Sequence, residues 1–410
     1  LLISAAVLGY NATTLLNFGD YEWKDEFKQH ITKITGTIDY VNSLPPEKQD
    51  DLILMLDAFD TWFQLPPEIL IKRYHEIVAK AGRFHVDDFG AENIAAHHIR
   101  NTVIFGSDKE NHPAKRESAS YWAVPDAWLP QLVFGPNTDN STSMYDRPRW
   151  LNSGSIMGPA REVRDVCMAA LDCYRQRTNI RSDQFHYSQV FGTQSYARRL
   201  IKLEYDRARG RSVIEEEEFL KPKSKSGLSR QIPDIAEGMR TEFHIGVDSQ
   251  SSLVQTGAYS GDYLTWVRNN DSSLYVRERS KHSNPHHHFS LPRELEGYGP
   301  IPEGEEGMDP ALYRWERLPL ATNTASKNIP VVLHVNGKKG YRELWWPRSW
   351  FYPFLEQLLQ RARDNGLRDK GMHRDALAGA WTLANGTRGW VAWKNVCGEF
   401  EDVLVGRAKH

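Results

Sequence analysis

Two carboxylates, Asp57 and Asp60, follow directly on the apolar run Leu52–Leu56 in the stretch LILMLDAFDTWF, with only Ala58 and Phe59 between them. Carboxylate oxygens are hard ligands suited to Mn2+ or Mg2+, ions that keep open positions for substrate phosphates. A second stretch, VVLHVNGKKG, sets His334 near the end of another apolar run and follows it with Asn336, Gly337, Lys338 and Lys339. Two acids and one imidazole on neighbouring strand ends would make a divalent-metal triad, with a lysine beyond them to neutralise a diphosphate. Plainer readings exist for the same residues. Acids at strand ends also cap helices, and a lone histidine in an apolar strand is ordinarily a satisfied core residue.

A third signal is RWLNSGSIMGP, followed about thirty residues later by RSDQFHYSQVF. Asn152, Ser153 and Gly154 are small enough to let the backbone approach a ligand closely. Asp183 and Gln184 open an apolar-periodic helix carrying Phe185, Tyr187, Val190 and Phe191. They suit hydrogen bonding to sugar hydroxyls, and they equally suit N-terminal capping.

These residues need a scaffold, and the rest of the chain describes one. Five segments end an apolar run in small or polar residues: LLISAAVLG, LILMLDAFD, TVIFGSD, WLNSGSIMG and IPVVLHVNG. Each reads as a strand, the first as the opening core strand and the second as a fully buried, parallel one. Between them, PPEILIKRYHEIVAKAG reads as a helix stopped by Gly82, and PAREVRDVCMAALDCYRQR as a helix covering a sheet. Alternating strands and helices predict an α/β fold with a mainly parallel sheet flanked by helices, whose ligands sit beyond the carboxyl ends of the strands.

The chain of 410 residues is 25% charged and 40% hydrophobic, which suits one large domain or a few ordinary ones. Its 51 basic and 53 acidic residues leave a net charge of −2, so charge gives no argument for nucleic acid as a partner. Residues 205–238 read as a charged, solvated excursion that includes Glu215 to Glu218, and residues 278–310 as an irregular region. His286, His287 and His288 lie in that region, but adjacent histidines on regular structure do not converge on one metal. A terminal helix and a tryptophan-rich tail with Trp381, Trp390 and Trp393 complete the chain over 356–410, packed on a domain of residues 1–355. The tail tryptophans suit anchoring to the body, or carbohydrate stacking. Three cysteines, Cys167, Cys173 and Cys397, leave room for one disulfide at most.

In their order the motifs resemble the glycosyltransferase domain of the multifunctional procollagen lysyl hydroxylases and related procollagen glucosyl- and galactosyltransferases. The matching residues are Asp57 and Asp60; Asp108; Asn152, Ser153 and Gly154; Asp183, Gln184 and Phe185; Asp248, Ser251 and Gln255; and His334, Asn336 and Gly337. The resemblance implies a GT-A fold over residues 1–355, with a Rossmann-like sheet. It implies Mn2+ held by Asp57, Asp60 and His334, and a UDP-glucose or UDP-galactose donor bound near Phe59, Asp108, Asn152, Ser153, Gly154, Asn336, Gly337, Lys338 and Lys339. Asp183 and Gln184 would then lie nearest the chemistry, and glucosyl transfer would retain the anomeric configuration.

Two positions depart from that pattern. Gly340 stands where collagen-modifying members have a lysine, and His112 precedes Pro113 where they have tryptophan. The expected reaction is hexosyl transfer to a hydroxyl acceptor on a protein or glycan. A UDP-sugar hydrolase or metal phosphoesterase, and a non-catalytic glycan-binding protein, are the rival classes. Sequons at Asn11, Asn140, Asn270 and Asn385 fit the secretory pathway, in the endoplasmic reticulum or Golgi lumen, or a secreted protein, with any membrane anchor lying upstream.

Overall fold

The computed structural model describes residues 1–10, 13–18, 26–223, 227–269, 290–368, 379–384 and 386–396. Its architecture is mixed α/β. The elements are α1 (Leu2–Val7), β1 (Thr14–Leu16), α2 (Glu26–Ser43), β2 (Leu52–Leu56), β3 (Thr61–Phe63), α3 (Pro67–His97), β4 (Val103–Asp108), α4 (Ala119–Trp122), β5 (Trp150–Pro159), α5 (Ala160–Gln176), α6 (Asp183–Ala208) and α7 (Ile214–Phe219). They continue with β6 (Ile245–Val247), β7 (Val254–Thr256), β8 (Leu264–Val267), β9 (Leu320–Asn323), β10 (Val332–His334), α8 (Tyr341–Trp345), α9 (Leu355–Arg368), β11 (Gly379–Ala384) and β12 (Thr387–Ala392).

Two sheets position the residues of interest. One runs β2-β5-β4-β6 and the other β3-β10-β7. In the first, β5 is antiparallel to both β2 and β4, and only β4 and β6 pair in parallel. In the second, β10 is parallel to β7 and antiparallel to β3. The expectation of a mainly parallel sheet is therefore corrected to mixed sheets. The long strand β5 is what reverses the pattern, because it pairs on both sides.

The expected buried parallel strand at Leu52–Leu56 is an edge strand, half-buried along its length and antiparallel to its neighbour. Its unbroken apolar character has a different cause. Leu52, Leu54 and Leu56 pack on the core that holds Trp315, Trp350 and Phe351, whereas Ile53 and Met55 pack on a second core around Phe105, Ile156 and Tyr187. A strand lying between two cores has no face to give to polar residues.

Two further expectations are overturned. LLISAAVLG forms the helix α1, not a strand; Ile3, Ala5 and Val7 are buried in the first core, and Ser4 Oγ accepts a hydrogen bond from Phe63 N at 3.0 Å. A short apolar run does not by itself distinguish helix from strand. Gly82 does not stop its helix either: α3 passes through it, and the helical geometry breaks at Gly90, where φ is 75°. A Cβ there would fall 2.8 Å from Tyr205 Oη, so both backbone and packing select glycine.

The charged excursion is more regular than expected. α6 extends to Ala208, and the glutamate run lies on α7, where Glu216 pairs with Arg199 and Glu217 with Arg207. Residues 290–310 are irregular apart from a short 3-10 turn, but Leu295 and Ile301 are fully buried. β11 and β12 form a hairpin that pairs through β11 with β1 in parallel, and Trp381 and Trp390 meet edge to face at 5.1 Å. The three tandem histidines, Cys397 and the sequons at Asn11, Asn270 and Asn385 lie outside the described residues. Asn140 is exposed in a turn, and Cys167 and Cys173 carry free thiols. No helix among the described residues is long and apolar enough to cross a membrane.

Candidate metal centre

The link from Asp57 to Asp60 carries the chain out of one sheet and into the other, since β2 ends at Leu56 and β3 begins at Thr61. Both ends of the link are held by main chain. Asp57 N donates to Gly154 O at 3.0 Å, on β5, and Val335 N donates to Asp60 O at 2.7 Å, just past β10. Thr61 Oγ1 closes the turn by donating to Asp57 O. Two carboxylates are thus fixed at the seam between the sheets, where His334 ends β10.

His334 Nε2 lies 3.7 Å from Asp57 Oδ2 and 3.5 Å from Asp60 Oδ1. One ligand atom from each of the three residues falls within 4.8 Å of the others. Two hard oxygens and an imidazole nitrogen at that spacing fit a small divalent cation, with positions left over for substrate oxygens. His334 is buried, and its Nδ1 has no hydrogen-bond partner among the described residues. A satisfied core histidine would have one, whereas the polar side chains that face this ring among the described residues are the two acids.

Each acid divides its oxygens. The atoms facing His334 are Asp57 Oδ2 and Asp60 Oδ1, while the opposite oxygens face lysines. Lys33 Nζ donates to Asp57 Oδ1 at 2.6 Å, and Lys339 Nζ pairs with Asp60 Oδ2. Burial raises the Asp60 carboxyl, but His334 and Lys339 more than reverse this and hold it at about 2.

Asn152 and Asp108, both buried, and the half-buried Asn336 form a brace behind the triad. Asp108 Oδ2 accepts from Asn152 Nδ2 at 2.7 Å, and Oδ1 accepts from Asn336 Nδ2 at 3.0 Å. Asn152 Oδ1 in turn accepts from Gly154 N at 2.9 Å, and Asn336 Oδ1 accepts from Gly257 N and Ala258 N at 2.8 and 2.9 Å. Burial pushes the Asp108 carboxyl up, opposed by its two asparagine donors. Gly337 has φ 78°, the left-handed conformation that turns the chain away after His334.

Asp183 does not cap its helix. Ser182 does so, accepting from Phe185 N at 3.3 Å, which leaves Asp183 free for partners outside the helix. Those partners come from α2: His30 Nδ1 donates to Asp183 Oδ1 at 3.1 Å, and Lys33 Nζ stands 3.2 Å from Oδ2. Burial would raise this carboxyl, yet Lys33 and His30 hold it well below the usual carboxylate range. Gln184 Oε1 accepts from Ser153 N at 3.2 Å, and Nε2 donates to His112 O at 2.7 Å, joining β5 to the segment before the cis His112–Pro113 bond.

The remaining candidates stand at different distances from the triad. Phe59, between the acids, is 75% exposed. Lys338 leans over the Tyr341 ring, 5.9 Å from its centre, whereas Lys339 turns to Asp60. Asp248 serves the backbone: it accepts from the amides of Ser252, Leu253 and Val254, which leaves it a turn-holding role. Gln255 Oε1 accepts from Asn323 Nδ2 at 2.8 Å, inside the core.

Sequence reading missed Lys33 and His30. Both lie on α2 three residues apart, on one helix face, but no motif marks a lone lysine and histidine in KQHITKITG. No protein-family model matches the chain, and no curated protein does; the functional reading rests on these residues and their geometry.

Proposed function

We propose that the protein is a Mn2+-dependent glycosyltransferase of GT-A type, moving glucose or galactose from a UDP-sugar to a hydroxyl acceptor on a protein or glycan. The observation that carries this reading is the convergence of Asp57 Oδ2, Asp60 Oδ1 and His334 Nε2 at the seam of two sheets. It is supported by the order of the motifs in the sequence, and by the exposed aromatic ring of Phe59 beside the acids, which suits a nucleoside base or ribose.

A divalent cation held by Asp57, Asp60 and His334 would stabilise the charge that develops on the leaving diphosphate. The chain's own groups supply the rest. Lys339 offers an ammonium group next to the triad and is more than half exposed, so it is free to turn from Asp60 to a phosphate oxygen, with Lys338 adjacent in the chain. The brace of Asn152, Asp108 and Asn336 fixes the backbone on both sides of the triad before any ligand arrives, which lowers the ordering cost of binding. Asp183, at the start of α6, would in this reading orient sugar hydroxyls or face positive charge developing on the sugar ring.

Titration calorimetry with a panel of UDP-sugars, in Mn2+ and in EDTA, tests the reading. One UDP-hexose should bind preferentially, only with Mn2+, and Asp60→Asn should abolish that binding. Equal binding in EDTA, or binding of no UDP-sugar, contradicts it. Free sugar released at the same rate as UDP, in the presence of every hydroxyl acceptor offered, would instead favour the hydrolase.

A further inference from the structure

Lys33 belongs to none of the motifs that carry the proposed function, yet its ammonium is held by groups on both sides of the triad's first acid. Its Nζ reaches three oxygens: Asp57 Oδ1 at 2.6 Å, Ser153 O at 2.7 Å and Asp183 Oδ2 at 3.2 Å. Only 20% of the side chain is exposed. Two carboxylates, Asp57 and Asp183, stand within ion-pair distance of this largely buried ammonium.

The arrangement has the form of a two-cation centre. Asp57 presents one oxygen to the triad and the other to Lys33, as a bridging carboxylate does between two metal ions about 3.5–4 Å apart. Asp183 lies on the lysine side of that bridge, with His30 on its second oxygen. We propose that the Lys33 ammonium is the fixed second cation of this centre: it turns Asp57 Oδ2 toward the metal position and keeps Asp183 out of the metal's ligand shell.

The inference rests on the metal reading of the triad and deepens it. Lys33 is a positioning residue, acting through Asp57 and Asp183. Its ammonium balances the Asp183 charge without the second open coordination sphere that a metal would bring. With Lys33 removed, Asp57 Oδ1, Asp183 Oδ2 and the Ser153 carbonyl form a set of hard oxygen donors around one vacated position, which is what a second Mn2+ or Mg2+ would take.

Mn2+ binding without any substrate tests this, read as stoichiometry from the electron paramagnetic resonance signal of free Mn2+. Wild type should bind one Mn2+ per chain and Lys33→Met two, and the Lys33→Met/Asp183→Asn double variant should return to one. In the wild-type background, Asp183→Asn should change Mn2+ affinity by no more than about threefold, because Lys33 stands between Asp183 and the metal. This second variant carries the test should Lys33→Met fail to fold. One Mn2+ in Lys33→Met with unchanged affinity, or a tenfold loss of affinity in Asp183→Asn, overturns the inference and leaves the metal reading standing. A wild-type chain that binds no Mn2+ overturns both.

Discussion

His334 is seated against Gly154 so closely that a Cβ at position 154 would lie 2.1 Å from His334 Cε1 and 2.8 Å from each ring nitrogen. The two residues come from different sheets, Gly154 from β5 and His334 from β10, so this contact sets how near the sheets approach at the acids. Gly154 is glycine for space, not for an unusual backbone angle. Gly154→Ala should therefore displace the imidazole, lowering stability by about 1–3 kcal/mol as overpacking does, and weakening Mn2+ binding along with it. Denaturant unfolding and a Mn2+ titration on the same preparation check the pair of effects.

Asp108 offers a separate handle on the same region. Both its oxygens accept from asparagine side-chain amides, so an asparagine at 108 would set one NH2 group against another whichever way it is turned. Asp108→Asn should cost about 1–3 kcal/mol, the penalty for an unpaired buried donor. Thermal denaturation measures it. An unchanged melting temperature would mean that the brace does not hold the two sheets together.

Lys339 and Asp60 form a pair with an exposed lysine, and its removal should barely affect folding. Lys339→Met should change stability by less than about 1 kcal/mol. It should weaken UDP binding more than Mn2+ binding if the ammonium turns to the diphosphate, and comparison of the two titrations for this variant decides the point.

A pH dependence follows from His85 on α3, which is remote in chemistry from the triad. Its Nε2 donates to Asn101 Oδ1 at 3.1 Å, and Arg198 donates to the same oxygen at 2.8 Å, with Glu242 on the far side of Arg198. Burial, reinforced by the Arg198 charge, lowers the His85 pKa from 6.5 to about 4. The unfolded chain therefore takes up a proton first as pH falls. Stability from this residue is fully present above pH 6.5 and is lost progressively down to about pH 4, by up to about 3 kcal/mol. His85→Gln, which keeps a donor for Asn101, should flatten stability against pH across that window in urea unfolding measurements.

The residues of the triad were legible in the sequence because each sits where an apolar run stops, and such ends are where a sheet exposes side chains to ligands. Asp57, Asp60 and His334, predicted from runs about 275 residues apart, are brought within 4.8 Å. Strand direction was not legible. The apolar run at Leu52–Leu56 has the composition of a buried parallel strand, but it arises from an edge strand shared between two cores. The opening run LLISAAVLG was too short to carry a helical period, and its helix is set by packing against β3 and α9. Lys33 and His30 were hidden for another reason. Their partners lie just past β2 and at the start of α6, and only tertiary packing of α2 across both reveals what a lone lysine is for.

The central claim is that the Asp57, Asp60 and His334 cluster holds a divalent cation for the diphosphate of a sugar donor. The most direct measurement is UDP release from UDP-glucose and UDP-galactose by wild type and by Asp60→Ala, each in Mn2+ and in EDTA. Slow release selective for one donor, abolished by EDTA and by the substitution, is the predicted result. Release that persists in Asp60→Ala, or none from wild type with any UDP-sugar in Mn2+, would contradict it.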